Sequence, residues 1–167
     1  MSRAFVREGD GRLDPLPDLP LSAHPNYVTP RGLATLKTRL HRRQTDLATL
    51  KARPDRLDKL PEAAAERDIR YLEARLRSAI LIDPAKTPLA EAAFGHRITV
   101  TDPQGHTTTY EITGEDEADA SQHRIAPRSP LARALIGARV GDKVSWTRPA
   151  GTLTLTIHSI THADPPA

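Results

Sequence analysis

Asp55, Asp58, Glu62, Glu66 and Asp68 crowd into one short stretch near the middle of this chain. Carboxylates that converge make a site for a hard cation such as Mg²⁺. Arg53, Arg56, Lys59 and Arg67 are interleaved with them, and the competing reading is a solvated tip of mixed charge. Asp55, Asp58 and Glu62 are the candidates to reach into a partner's active site. Seven histidines, at 24, 41, 96, 106, 123, 158 and 162, include no pair at metal-ligand spacing on one helix. His158 and His162 are four apart but fall on or after an expected strand, where that spacing does not converge two rings. No cysteine is present, which excludes a disulfide framework, a thiolate metal site and a cysteine nucleophile. There is no glycine-rich phosphate loop and no G-x-S-x-G elbow. No catalytic constellation emerges, so the expected protein is not an enzyme.

Two elements must position the acidic stretch. Thr29-Pro30 supplies a cap and a first-turn proline, and Leu33, Leu36, Leu40, Leu47 and Leu50 follow at seam spacing. Arg43 interrupts that seam. Arg53-Pro54 ends the first helix. A second helix begins near Pro61, carries Ile69, Leu72, Leu76 and Ala79 or Ile80 on its seam, and stops at Asp83-Pro84. Two seamed helices with a short polar break predict an antiparallel coiled-coil hairpin over 27–83. Residues 1–26 are a proline-rich arm: Pro15, Pro17, Pro20 and Pro25 recur, and the stretch Asp14–Leu21 is either a bare linker or an extended segment laid in a groove.

The chain then changes character. Arg97–Thr101 and Thr107–Ile112 alternate around an Asp102-Pro103-Gln104-Gly105 turn. Lys143–Thr147 and Thr152–Ile157 flank Pro149-Ala150-Gly151. Between the two pairs, Ser129-Pro130 starts and Gly137 closes a short helix. That helix either packs Leu131, Leu135 and Ile136 on the sheet with Arg133 in solvent, or forms a docking edge. The expected class is α+β, an antiparallel sheet with one short helix over 90–163.

Composition agrees. Apolar residues make up 38% of 167 residues and aromatics only 4%, too few for one large aromatic core. Residues 31–83 hold 13 basic and 8 acidic groups, net +5, while 1–30 (3 against 4) and 84–167 (8 against 9) are each −1. The net charge of +3 therefore belongs to the helical segment. It suits a solvated face, or a surface meeting a polyanion or an acidic groove. No run of 18 apolar residues exists and the N-terminus lacks an apolar signal core, so the expectation is a soluble, cytoplasmic protein that does not engage a membrane.

The start Tyr27-Val28-Thr29-Pro30-Arg31-Gly32-Leu33, the leucine-seamed helices ending Ile80-Leu81-Ile82-Asp83, and Ser129-Pro130-Leu131-Ala132-Arg133-Ala134-Leu135-Ile136-Gly137 followed by Val140-Gly141-Asp142 resemble the bacterial Gre transcript-cleavage and elongation factors. Phe94-Gly95 and Ile112-Thr113-Gly114-Glu115-Asp116-Glu117 match in kind. The resemblance covers about residues 26–163. It implies an FKBP-like C-terminal domain that docks on bacterial RNA polymerase at the rim of its secondary channel. The hairpin would then enter the channel, with indirect contact to DNA and RNA, and the factor would act as a monomer. Carried over, Ser129, Pro130 and Leu131 fall at the docking contact, with Arg128 and Arg133 beside them; several relatives have an acidic or amide residue where Arg128 stands.

The tip departs from that family. Cleavage-active members carry a Gly-Asp-x-x-Glu-Asn-Ala-like loop whose acids help hold a Mg²⁺ of the polymerase; no such string occurs here. The hairpin is also shorter by roughly fifteen residues, some 10–12 Å at helical rise. The resemblance therefore implies a regulator that carries no cofactor of its own. Two alternatives stand: a cleavage stimulator whose tip acids share the polymerase Mg²⁺, and an interaction module like the nucleoside diphosphate kinase regulators. A peptidyl-prolyl isomerase would need an aromatic-lined pocket, for which only Phe94, Tyr110 and Trp146 are at hand.

Overall fold

A computed structural model describes residues 14–163. The first part of the expected arm, residues 1–13, lies outside the described residues. In chain order the regular elements are β1 (Asn26–Val28), α1 (Pro30–Lys51), α2 (Leu60–Ser78), β2 (Ala79–Leu81), β3 (His96–Thr101), β4 (Thr107–Ile112), β5 (Arg124–Ile125), α3 (Pro130–Leu135), β6 (Lys143–Arg148) and β7 (Gly151–His162). They form two units. Among the described residues, one takes 14–23 with Leu36–Ser78; the other takes His24–Thr35 and 79–163.

In the helical unit, α1 and α2 bury Leu36, Ala65 and Leu72, while Leu40, Leu47, Leu50, Ile69 and Leu76 are half-buried. Arg43, the break in the apolar seam, bonds Asp68 of α2 at 2.8 Å, and Lys51 bonds Glu66 at 2.9 Å. These pairs are largely exposed and contribute at most about 1 kcal/mol each. The buried apolar side chains supply most of the cohesion, and the ion pairs fix which residues face one another. The second helix does not run to Asp83 as its seam predicts. It stops at Ser78, and Ala79–Leu81 form β2, paired parallel with β1 so that Tyr27 faces Ile80. Ile82 extends the pairing by donating its N–H to Val28 O at 2.9 Å. The run Ile80-Leu81-Ile82 suits a strand, and β1 offers it an edge. The boundaries differ accordingly: 24–26, expected in the arm, and 27–35 and 79–83, expected in the hairpin, belong to the sheet unit.

The sheet unit is a five-stranded sheet in the order β5-β4-β3-β7-β6. All neighbours are antiparallel except β4 and β5, which are parallel. Both sequence-predicted hairpins are present. Asp102 Oδ1 accepts from Gln104 N and His106 N, both at 2.9 Å, and Gly105 takes a positive φ, which closes the first turn. The β3–β7 register shifts between Thr99 and Val100, leaving His158 as the extra residue of a bulge. The two-residue β5 was not legible beforehand; it follows His123, the one non-glycine residue at positive φ among those described.

One face of the sheet forms the core. Ile98, Val100, Ile112, Leu155, Ile157 and Ile160 pack with Leu131, Ala132 and Leu135 of α3. Ser129 caps α3 by accepting from Ala132 N at 3.2 Å, with Pro130 at its first position. The opposite face is rich in hydroxyls, and Thr99 and Thr109 hydrogen-bond across it at 2.9 Å. The fold class is thus α+β, as expected. His96 is fully buried at the start of β3, its Nδ1 accepting from Ala93 N at 3.1 Å and its ring 5.8 Å from that of His162. Burial, with His162 nearby, holds its pKa below the ordinary imidazole value.

Two stability tests follow. Leu131→Ala should cost about 2–4 kcal/mol in urea unfolding, as expected for a core leucine; a loss below about 0.5 kcal/mol would mean the side chain is not in the core. A neutral His96 contributes stability that is fully present above the unfolded histidine pKa of about 6.5 and is lost as pH falls below it. The melting temperature of the full chain should therefore drop on acidification below about pH 6.5, and the drop should be shallower in His96→Asn.

Candidate functional site

Three groups of residues bear on function: the edge around α3, the connection between α1 and α2, and the first turn of α1 with the acids it meets.

At the α3 edge the sequence-predicted docking residues separate. Arg128, Pro130 and Arg133 are exposed. Ser129 is half-buried, with its hydroxyl engaged in the cap. Leu131 is only 3% exposed and belongs to the core, which corrects its assignment as a contact residue: α3 is amphipathic, and Leu131 and Leu135 lie on the side facing the sheet. The exposed apolar residue of the segment is Ile136, at 43%. Ile136 and Arg128 line a notch of about 190 Å³ with Pro25, Tyr27 and Pro127. That is too small for a typical small-molecule site but large enough for a partner's side chain. Sequence reasoning missed the notch because Pro25 and Tyr27 are a hundred residues away; the one signal was an isoleucine directly before the closing glycine. Val140-Gly141-Asp142 also has a local role. Gly141 takes a positive φ, Asp142 Oδ2 accepts from Arg139 N at 2.8 Å, and Asp142 O accepts from Ile157 N at 2.9 Å, which turns the chain into β6.

In the connection between α1 and α2, each candidate acid is already engaged. Asp55 Oδ1 accepts from Leu57 N at 3.0 Å, and Asp58 Oδ1 accepts from Leu60 N at 2.9 Å at the start of α2. Both oxygens of Glu62 are taken by Arg56, at 2.9 and 2.7 Å, and that hydrogen bonding holds the Glu62 carboxyl below its usual range. The connection also exposes an apolar side chain, Leu57, at 92%. As a donor set for a shared Mg²⁺ these residues do not fit. Glu62 is neutralised by a guanidinium, and the two aspartates each spend an oxygen on their own turn. Among the described residues no three histidines, aspartates or glutamates gather as metal ligands.

The first turn of α1 explains the Thr29-Pro30-Arg31-Gly32 string. Thr29 Oγ1 accepts from Gly32 N at 3.0 Å and donates to the Glu117 carboxylate at 2.8 Å. Arg31 Nε donates to Glu117 at 3.1 Å, and its Nη2 binds Glu111. Burial would lower the Arg31 pKa, but the two glutamates outweigh it and raise the value. Gly32 is needed by space: a Cβ there would lie 2.3 Å from Glu117 Oε2. Gly114 is needed likewise, because a Cβ would lie 2.6 Å from Tyr27 O. The cluster is a buried structural knot with both carboxylates engaged, not an open site. Gly32→Ala should push Glu117 off Thr29 and Arg31 and cost about 1–3 kcal/mol in urea unfolding; an unchanged midpoint would show that Glu117 moves aside freely.

Comparison with known proteins places the chain in a family. Residues 87–162 match the family model described as transcription elongation factor, GreA/GreB, C-terminal. A transcription elongation factor GreA of Halorhodospira halophila is 43% identical over 91 residues, 53% of this chain and 58% of that relative. A GreA of Legionella pneumophila is 35% identical over 154 residues, 82% of this chain and 95% of the relative. A GreB of Neisseria meningitidis is 31% identical over 156 residues, 81% and 93% respectively. Among solved structures, Gfh1 of Thermus aquaticus aligns with 84% of this chain and 100% of its own at 22% identity, with a TM-score of 0.41, too loose a likeness to carry an argument. The Legionella match spans the helical and sheet units alike at over a third identity, and on that extent the chain belongs to the GreA/GreB family of transcription elongation factors.

Proposed function

We propose that this protein is a non-enzymatic regulator of transcription elongation that binds bacterial RNA polymerase. In this reading the sheet unit is the FKBP-like grip, docking at the rim of the secondary channel through Arg128, Pro130, Arg133 and the notch beside Ile136. The two helices form the antiparallel coiled-coil prong that enters the channel. The Arg43–Asp68 and Lys51–Glu66 pairs support that arrangement, since a later position on α1 meets an earlier one on α2. The net +5 of residues 31–83 suits a passage lined by acidic groups, with DNA and RNA met only indirectly. The factor acts as a monomer in the cytoplasm and brings no cofactor of its own. Among the described residues no helix is long and apolar enough to cross a membrane.

The observation that carries the choice between regulation and cleavage is the state of the tip. Glu62 is held by Arg56, and Asp55 and Asp58 are turned onto backbone N–H groups. Glu62 thus offers no free oxygen to a metal, while Asp55 and Asp58 keep one each, and no three acids gather as metal ligands among the described residues. In this reading the prong obstructs or reshapes the channel rather than assisting hydrolysis of the transcript.

The test is a stalled elongation complex with the purified full chain. Binding is expected, with a change in elongation rate and no stimulation of transcript cleavage. Arg128→Glu with Arg133→Glu should weaken binding by about tenfold, about 1.4 kcal/mol, with an unchanged fold by circular dichroism. Stimulated cleavage that is lost in Asp55→Ala or Asp58→Ala would replace this reading with the cleavage factor. Failure to bind polymerase at all would leave an interaction module aimed elsewhere.

A further inference from the structure

The arm is more than a linker where it is described. Between Asp14 and Leu21 the half-buried residues are Leu16 and Leu19, and every other residue is exposed. A three-residue period is that of a polyproline II helix, which Pro15, Pro17 and Pro20 favour. Leu19 lines a groove with Arg39, Arg42 and Arg43 of α1 and Tyr71 and Leu72 of α2. One guanidinium ties the arm down: Arg70 Nε donates to Asp18 Oδ1 at 2.6 Å, and Arg70 Nη2 donates to Leu16 O at 2.8 Å.

We propose that residues 14–21 are a releasable strap on the helical unit, an autoinhibitory segment that covers part of the face this unit presents to its partner. The inference rests on the polymerase reading above and adds its regulation. Two features of the contact point to release. It is weak: Leu16 and Leu19 are half-buried, the Asp18 side chain is 74% exposed, and residues 14–22 form no regular element. It is also inexpensive to re-form, because prolines restrict the free arm and less freedom is lost on docking. A short contact of this kind sits near balance, where a modest competitor shifts it.

Charge supplies the competition. The strap carries two negative charges, Asp14 and Asp18, and Asp18 sits on Arg70 of a unit whose cations also include Arg39 and Arg42. An acidic wall that attracts those arginines is repelled by the strap's carboxylates. Closed, the strap lowers the positive charge offered and occupies the groove; open, it exposes Tyr71, Leu72 and the guanidinium groups together. The fraction of molecules with the strap open then scales the apparent affinity for polymerase.

The experiment compares three forms of the full chain on core RNA polymerase by fluorescence anisotropy. The first is the protein itself. The second is Asp18→Arg with Leu19→Ser, which removes the Asp18–Arg70 ion pair and takes the Leu19 side chain from the groove. The third is Leu19→Cys with Ala74→Cys, two positions that line one groove, joined by a reducible crosslinker in a chain without cysteine. NMR contacts between the Leu19 methyl groups and the Tyr71 ring report closure in the unaltered protein. The proposal expects those contacts, roughly fivefold tighter binding by the released form, and weaker binding by the crosslinked form that returns on reduction. Absent contacts overturn it. So do equal affinities for all three forms, and in that case the polymerase reading stands without the strap. If no form binds polymerase, the polymerase reading falls and the strap's regulatory role falls with it.

Discussion

The hydrogen bonds from Thr29 and Arg31 to Glu117 and Glu111 hold the first turn of α1 on the sheet unit. A helix N-terminus has unpaired N–H groups and favours a nearby negative charge. Here the cap hydroxyl serves both needs, accepting a hydrogen bond from Gly32 N and donating one to Glu117. Such a cluster is costly to break, because removing one partner leaves a charge or donor in a site that water reaches poorly. It also dictates composition around it: two glycines stand where any side chain would collide with Glu117 or with the Tyr27 carbonyl. Strand β1 precedes this turn and β2 follows α2, and the two strands pair in parallel within the same unit.

A second constraint governs the far end of the helices. A short connection must end one helix and start another, and its backbone N–H groups need acceptors. Asp55 and Asp58 meet that demand locally. Glu62 is drawn to Arg56, six residues earlier. Acids engaged in folding the connection are not gathered as metal ligands, and the connection exposes Leu57.

Much of the architecture was legible in advance because it rests on local rules. Thr29-Pro30 and Ser129-Pro130 are cap-and-proline signals, and both start helices. Alternation around Asp102–Gly105 and Pro149–Gly151 marks two hairpins, and both form. The seam leucines fall on the inward sides of α1 and α2. The end of α2 was not legible. Ala79 and Ile80 continue the helical spacing, and only the edge of β1, half a hundred residues earlier, makes a strand the better use of Ile80-Leu81-Ile82. Strand β5 was hidden for a similar reason: two residues carry no period, and their pairing with β4 depends on the turn at His123.

The edge around α3 shows the same division. That Ser129–Gly137 is a capped amphipathic helix follows from residue types alone. Which of its residues face outward follows from where the sheet lies, and that placed Leu131 in the core and left Arg128, Pro130, Arg133 and Ile136 outside. By itself the sequence determined the helices, the hairpins, the uneven charge and the family, since spacing, turn chemistry and charge act over a few residues. The tertiary structure alone decided that Glu111 and Glu117 meet Arg31, that Arg56 takes Glu62, and that the arm rests on Arg70. Those are contacts between residues far apart in the chain or competing for one partner, and a hydrogen bond forms only where folding brings its two ends within about 3 Å.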